Sequence, residues 1–289
     1  MTDKSKPSVA DHYDTVAADY HQMYQRENLE KLDSYPANYF RLQILARRIA
    51  TLDAKRIYEI GVGEGTPLVA LAKMGLEVAG CDISQEMVNA ARQNFERAGL
   101  SQELIQWGDV EDATTLVGQL NSGKFDAVIA AGVLPHVRND RLMLETVKMC
   151  LKPGGTALIE FRNKLFSLFT FNRRTRDFII DDLLASVAPT IKDAVAAELD
   201  RRCDLSLPPI QAYDRILSKF HNPFELQELF RVCGFEVVTI HWYHYHPAPP
   251  MLEKQLVEFR KTAMALEHEG SWRGMFLCSA GVIEARLPG

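Results

Sequence analysis

The sequence predicts an α/β protein: a mostly parallel β-sheet with helices on both faces. Two observations predict it. From residue 56 to residue 161, short apolar runs alternate with segments of helical period; strands alternating with helices fold as parallel sheets covered on both sides. The first apolar run also leads directly into a glycine-rich turn, Gly61-Val62-Gly63-Glu64-Gly65, that opens a helix.

Taken in order, Val16, Ala17 and Tyr20 recur at helical spacing, as do Leu42, Leu45, Ala46 and Ile49, with a break at Ser34-Tyr35-Pro36. Residues 56–60 read as a strand. Residues 66–74 read as a helix, with Pro67 suited to its first turn. A strand at 77–81 precedes a helix at 85–98 that Gly99 stops. Strands follow at 104–107 and 125–131. A helix at 142–151 leads into the turn Lys152-Pro153-Gly154-Gly155, then a strand at 156–161. The alternation stops at 163–221, where two helical segments, 174–187 and 190–202, flank Pro189. It resumes with a helix at 223–233, the stop Gly234 and a strand at 235–241. Pro247, Pro249 and Pro250 make a second break, before a helix at 251–268 and a strand at 275–285. The chain therefore divides into a helical cap (1–50), an α/β core (51–161), a helical lid (162–222) and the rest of the core (223–289), which carries a helical insertion near 247–270.

With 289 residues and 47% hydrophobic residues, the chain has the makings of one large core. A net charge of −5 gives no basic footprint for nucleic acid. No run of eighteen apolar residues is present, and the first ten residues have no apolar signal core. The cysteines at 81, 150, 203, 233 and 278 form no CxxC pair, which suits a reducing cytoplasm and argues against a disulfide framework or structural zinc.

The glycine turn is spaced G-x-G-x-G. A dinucleotide fingerprint needs a further glycine at position 66, which is Thr66, and no Lys-Ser/Thr pair follows as in a phosphate loop. Asp82 ends the second strand about twenty residues on, where a carboxylate accepts ribose hydroxyls. Asp109 follows the third strand, and Glu59 stands at the mouth of the first. Three acids suit a cationic ligand and suit a pyrophosphate poorly. The glycines by themselves also fit a tight turn with no ligand, and Asp109 by itself fits a turn cap.

These residues carry a resemblance. Residues 59–65 resemble motif I of the class I S-adenosylmethionine (SAM)-dependent methyltransferases. Val78-Ala79-Gly80-Cys81-Asp82-Ile83-Ser84 is similar to the acidic motif after strand two, and Gly108-Asp109-Val110 to the adenine motif. Residues 125–136 are similar to motif IV, Leu151 to Gly155 to the LKPGG turn, and Tyr13-Asp14-Thr15-Val16-Ala17-Ala18-Asp19-Tyr20 to a cofactor-capping helix. The likeness covers 11–161 well and 223–245 loosely. It implies a Rossmann-like three-layer sandwich with a seven-stranded, mostly parallel sheet and an antiparallel last strand. It implies SAM as cofactor, with S-adenosylhomocysteine (SAH) as product. Glu59, Gly61 and Gly63 would then hold the methionine part, Asp82 and Ile83 the ribose, and Asp109 and Val110 the adenine. Met87, Ala131 and His136 would line the site, with Tyr13 and Tyr20 over it; a plain packing role fits the two tyrosines equally.

Ligands of open α/β sheets bind beyond the carboxyl ends of the strands. A hydroxyl acceptor calls for a base, and His136, His221 and His244 are the candidates, with His246 close by; surface or packing roles fit each of them too. Tyr243 and Tyr245 either line an acceptor pocket or are strand residues covered by the helix at 251–268. Arg162 and Arg174, in a group with Lys164, Arg173 and Arg176, either grip an anionic acceptor or form a solvated face. The apolar stripe of the lid, from Phe178 through Leu199, is expected to pack inward, closing a chamber or forming a homodimer interface. Asp126, Asn139 and Asp140 are oxygen-ligand types in no diagnostic pattern, so no metal is expected. The lid favours a small-molecule acceptor, with O-methylation first and N-methylation second. Ala131-Gly132-Val133-Leu134 stands where base methyltransferases carry Asn/Asp-Pro-Pro-Tyr/Phe, against a nucleic-acid substrate. An NAD-dependent oxidoreductase and a non-catalytic SAM-binding protein are the competing readings.

Overall fold

The computed structural model describes Tyr24 and residues 35–120, 123–206, 217–268 and 270–289. Tyr13 and Tyr20 lie outside the described residues, as does the helical spacing read around them. Seven strands form one sheet: β1 Arg56–Ile60, β2 Glu77–Asp82, β3 Ile105–Trp107, β4 Phe125–Ala130, β5 Leu151–Arg162, β6 Glu236–Tyr245 and β7 Cys278–Arg286. Their order is β3-β2-β1-β4-β5-β7-β6. Every pairing is parallel except those of β7, which runs antiparallel to both β5 and β6. The last strand in sequence is thus the antiparallel one.

Among the described residues, the α-helices of five residues or more are α1 Ala37–Thr51, α2 Thr66–Lys73, α3 Gln85–Arg97, α4 Asp140–Cys150, α5 Arg173–Asp177, α6 Pro189–Arg202, α7 Pro223–Val232 and α8 Phe259–Leu266. Alternation along the strands sends successive side chains to opposite faces. Tyr58, Val128 and Phe161 join Leu144, Val147 and Phe230 in one apolar core. Ile57, Ile129 and Leu158 join Ile49, Leu68, Val88 and Phe95 in the other. With both faces covered, β1 is buried from Ile57 to Ile60, as strands of parallel sheets are. The chain departs from β1 toward β2 on one side, and β4 flanks β1 on the other. This reversal opens a crevice at the carboxyl ends of β1 and β4.

Four expectations change in detail. Pairing with β4 begins at Leu151, so the Lys152–Gly155 turn is an interruption inside β5 rather than a lead-in to it. The segment expected as a helix at 174–187 is the five-residue α5 followed by a π-helix, Phe178–Leu183. The helix expected at 251–268 is a 3-10 turn, Pro250–Leu252, and the shorter helix α8. The last strand starts at Cys278, because Gly274–Leu277 forms a helical turn. The lid also packs less than its stripe suggests. Phe178 is buried, but no residue of α6 is, and Ile191 is 55% exposed.

Candidate active site

The crevice is built first from the turn after β1. Gly61 and Gly63 have φ of +74° and +55°, a left-handed backbone that residues with a Cβ adopt only at a cost. A Cβ on Gly61 would stand 2.4 Å from Val133 Cγ2, so the turn lies tight against the segment after β4. The amides of Gly61 and Val62 donate to Cys81 O at 2.8 and 3.0 Å. The Gly63 amide donates to Asp82 Oδ2 at 2.9 Å, and the Ser84 amide to Asp82 Oδ1 at 2.9 Å. One carboxylate thus ties the turn to the end of β2.

Glu59 is 1% exposed. Its Oε2 is buried without a hydrogen-bond partner. Burial pushes its carboxyl up to about 8; Arg41 pulls it down, and Asp82 and Glu64 push it further up. A buried acceptor left unmade costs roughly 1–3 kcal/mol, which a donor from a ligand recovers. Acids gathered around a glycine turn fit a ligand bearing an ammonium and ribose hydroxyls, as SAM does.

At the ends of β2 and β3, Ile83 is 37% and Trp107 45% exposed. The Trp107 indole Nε1 donates to Ile83 O at 2.9 Å. Together they give the rim an open apolar patch. Asp109 Oδ1 accepts from the Glu111 amide at 2.8 Å, so this carboxylate also caps its own turn. Val110 and Met87 are buried, 6% and 1% exposed, and Ala131 is half-buried.

Sequence reading missed Arg41. It lies on the inner face of α1 with Ile44 and Leu45, and its Nη1 donates to Glu160 Oε2 of β5 at 2.5 Å. Its Nη2 donates to the Tyr24 hydroxyl at 3.2 Å. Tyr243 of β6 joins this pair, and burial holds its phenol far above the usual range. The available signal was an arginine in an apolar stripe, a pattern that marks a buried pair rather than a solvated face. Trp107 was missed as well; an aromatic at the end of an edge strand reads locally as ordinary strand chemistry.

On the acceptor side, residues 217–221 are strapped over the ends of β4 and β5. The Lys219 amide donates to Pro135 O at 2.8 Å, the His221 amide to Arg162 O at 2.8 Å, and the Lys164 amide to His221 O at 3.0 Å. Arg162 donates to the Ser218 hydroxyl. The His136 Nδ1 meets Leu217 O at 2.7 Å, and the His221 Nε2 meets Asp140 Oδ2 at 3.2 Å. The other ring nitrogen of His221, Nδ1, is buried without a partner. Burial raises the Asp140 carboxyl, but hydrogen bonds from His221 and Lys219 outweigh it and hold the group below the usual range.

His244 sits elsewhere. It has φ of +61° at the end of β6, strain that its ring contacts sustain. Its ring stacks on Tyr35 at 4.6 Å and on His246 at 4.6 Å. Burial, with His246 beside it, drives its pKa well below the ordinary imidazole value. The Tyr35 hydroxyl donates to Glu267 Oε1 at 2.5 Å, and the Tyr245 amide donates to the same oxygen at 3.1 Å. Tyr243 and Tyr245 are each 2% exposed.

The fold therefore brings His136 and His221 together through one strap and places His244 in a separate ring stack. Of the basic group, Lys164 pairs with Asp182 and Arg176 with Asp200, while Arg174 lies 4.3 Å over the Phe220 ring. Asp126 is taken up by Lys152 and by two backbone amides. Among the described residues, no group of three or more His, Cys, Asp or Glu side chains is arranged to hold a metal. An open groove of about 610 Å³ between α2 and α3 shares only Glu64 and Thr66 with the glycine turn region and contains none of the site acids Glu59, Asp82 or Asp109.

Comparison with known proteins agrees with this geometry. The family model described as a methyltransferase domain matches residues 58–159. The ubiquinone biosynthesis O-methyltransferase of Coxiella burnetii is 24% identical over 210 residues, covering 73% of this chain and 75% of that protein. Its counterpart in Actinobacillus pleuropneumoniae is 25% identical over 169 residues, covering 58% of this chain and 72% of that protein. The crystal structure of magnesium protoporphyrin IX methyltransferase from Synechocystis PCC 6803 with bound SAH has the same fold, with a TM-score of 0.55 at 16% identity over 96% of this chain and 98% of that one. The glycine turn and the order of the sheet are those of a Rossmann-like fold shared with a solved SAH-bound methyltransferase, and residues 58–159 match a methyltransferase domain.

Proposed function

We propose that the protein transfers the methyl group of SAM to a hydroxyl oxygen of a small molecule. The observation that carries the reading is the unpartnered, buried Glu59 Oε2 beside the left-handed glycine turn. It needs a donor, and an ammonium supplies one. When bound, SAM supplies a methyl group on a positively charged sulfur that departs as a neutral thioether.

The chain's own residues then have separate tasks. Glu59 takes the ammonium, with Arg41 held nearby by Glu160 to meet the carboxylate of the same amino acid part. Asp82 accepts from the ribose. Ile83 and Trp107 give the adenine a flat apolar rim, with Val110 beneath. His136 and the 217–221 strap bound the side where the acceptor enters. The names of the curated relatives favour oxygen over nitrogen as the methylated atom.

Calorimetric titration with SAM, SAH and NAD tests the reading, with Asp82→Ala beside the wild type and circular dichroism to check its fold. Micromolar binding of SAM or SAH is expected, weakened at least about tenfold in Asp82→Ala, the equivalent of roughly 1.4 kcal/mol. Binding of NAD, or a folded protein that binds neither SAM nor SAH, overturns it.

A further inference from the structure

We propose that Asp140 and His221 form a positioned base that takes the proton from an acidic hydroxyl, a phenol or an enol, on the acceptor; the inference rests on the O-methyl transfer reading. The geometry fixes the tautomer. An ionised carboxylate only accepts, so the His221 Nε2 facing Asp140 Oδ2 at 3.2 Å carries the hydrogen. The lone pair of the neutral ring is then on Nδ1. That nitrogen has no partner, in a side chain only 9% exposed. It is a buried acceptor awaiting a donor, held by the strap at the carboxyl ends of β4 and β5.

The other two histidines are less suited. His136 is oriented by the carbonyl of Leu217, which carries no full charge to stabilise an imidazolium. His244 is stacked between two rings and driven toward the neutral form. His221 combines a carboxylate behind one nitrogen with an unpartnered second nitrogen, the arrangement by which a base is oriented and its cation stabilised. The charged groups around it are Asp140 at the start of α4, Glu111 on the amides just before that helix, Lys219 on Asp140 in the strap, Arg162 on Ser218, Lys164 on Asp182, and His136.

The step balances. The hydroxyl proton passes to His221 Nδ1 while an oxygen electron pair closes on the methyl carbon. The carbon–sulfur pair leaves with sulfur, and the imidazolium later returns its proton to water. An imidazole near neutrality matches a phenol, with a pKa of about 10. It is a poor match for an aliphatic alcohol, an acid nearly as weak as water.

Two measurements test the assignment. In the free protein, long-range proton–nitrogen spectra should show the Nε2–H tautomer of His221, and Asp140→Asn should shift the ring toward the Nδ1–H tautomer. In turnover, His221→Gln should lose roughly 10²–10⁴-fold with a weakly acidic phenol. It should lose less than about tenfold with a nitrophenol already ionised at the assay pH, with SAM affinity kept. Equal losses on both phenols, or a His221 tautomer indifferent to Asp140→Asn, overturns the base. If His221→Gln fails to fold, Asp140→Asn carries the same two-phenol comparison. A wild-type protein that binds SAM but methylates only amines refutes the O-transfer reading itself, and the base with it, a result distinct from equal losses in the variant.

Discussion

In the proposed reading, Glu59 meets opposite demands in the free and the cofactor-bound protein. Burial lifts its carboxyl from an ordinary value of 4.5 to about 8 in the folded chain. The folded state therefore holds a proton that the unfolded state releases, so stability falls as pH rises from 4.5 to 8. A bound ammonium reverses the preference and favours the carboxylate. Glu59→Gln should thus stabilise the free protein at pH 8 by an amount on the order of a few kcal/mol, read by thermal melts at pH 5 and pH 8, with the gain confined to the higher pH. The same substitution should weaken SAM binding, and wild-type affinity should rise with pH up to about 8; a flat affinity from pH 6 to pH 8 would contradict the ammonium contact. Glu59, Asp82 and the glycines were legible because their chemistry is local: a turn that only glycine allows, and acids at strand ends. Arg41 and the Asp140–His221 pair were not. Arg41 meets Glu160 across 119 positions, and His221 meets Asp140 across 81, distances that no local pattern spans.

α1 acts as a clamp as well as a cap. Seven residues after Arg41, on the same face of the helix, Arg48 donates to both oxygens of Glu284 at 2.7 and 2.9 Å. His241 of β6 meets the same carboxylate at 2.8 Å. Burial raises the Glu284 carboxyl, but hydrogen bonds from His241 and Arg48 more than offset it and hold the group near 2. A carboxyl lowered from 4.5 contributes stability that is complete above 4.5 and lost as pH falls toward 2. Arg48→Met should cost about 1–3 kcal/mol in urea unfolding at pH 7, and the deficit should shrink at pH 3. A deficit that stays the same at both pH values would show that Arg48 acts through packing alone. Most helices of the core were legible from their period and their caps: Ser84 accepts from the Met87 amide and Asn139 from the Leu142 amide. The lid was not. Its stripe has helical spacing, yet the chain passes from α5 into a π-helix, and α6 leaves Ile191 in the open. Periodicity reports which residues share a face, and says nothing of whether another element arrives to cover that face.

Across the whole molecule, the alternation of strands and helices disclosed the parallel sheet and the place of its crevice. The position of β7 was beyond local reading, because its two partners are set by pairings that join distant segments. Thr156 lies opposite Arg286, and Glu236 opposite the same residue from the other side. Inserted there, β7 is, among the described residues, the only link between β6 and the rest of the sheet. That placement has a consequence for the nascent chain. A ribosome makes β6 before β7, so β6 emerges with no neighbour to hydrogen-bond, and β5 waits with an open edge. The polypeptide therefore stays unfinished as a sheet until residues 278–286 have cleared the exit tunnel, and until then it offers two unpaired edges to any other chain nearby. Stalled chains ending at Leu277 should remain protease-sensitive and bind holding chaperones, while chains extended by a linker past Gly289 should become resistant in a single step; resistance of the shorter chains would show that β7 is dispensable for closing the sheet.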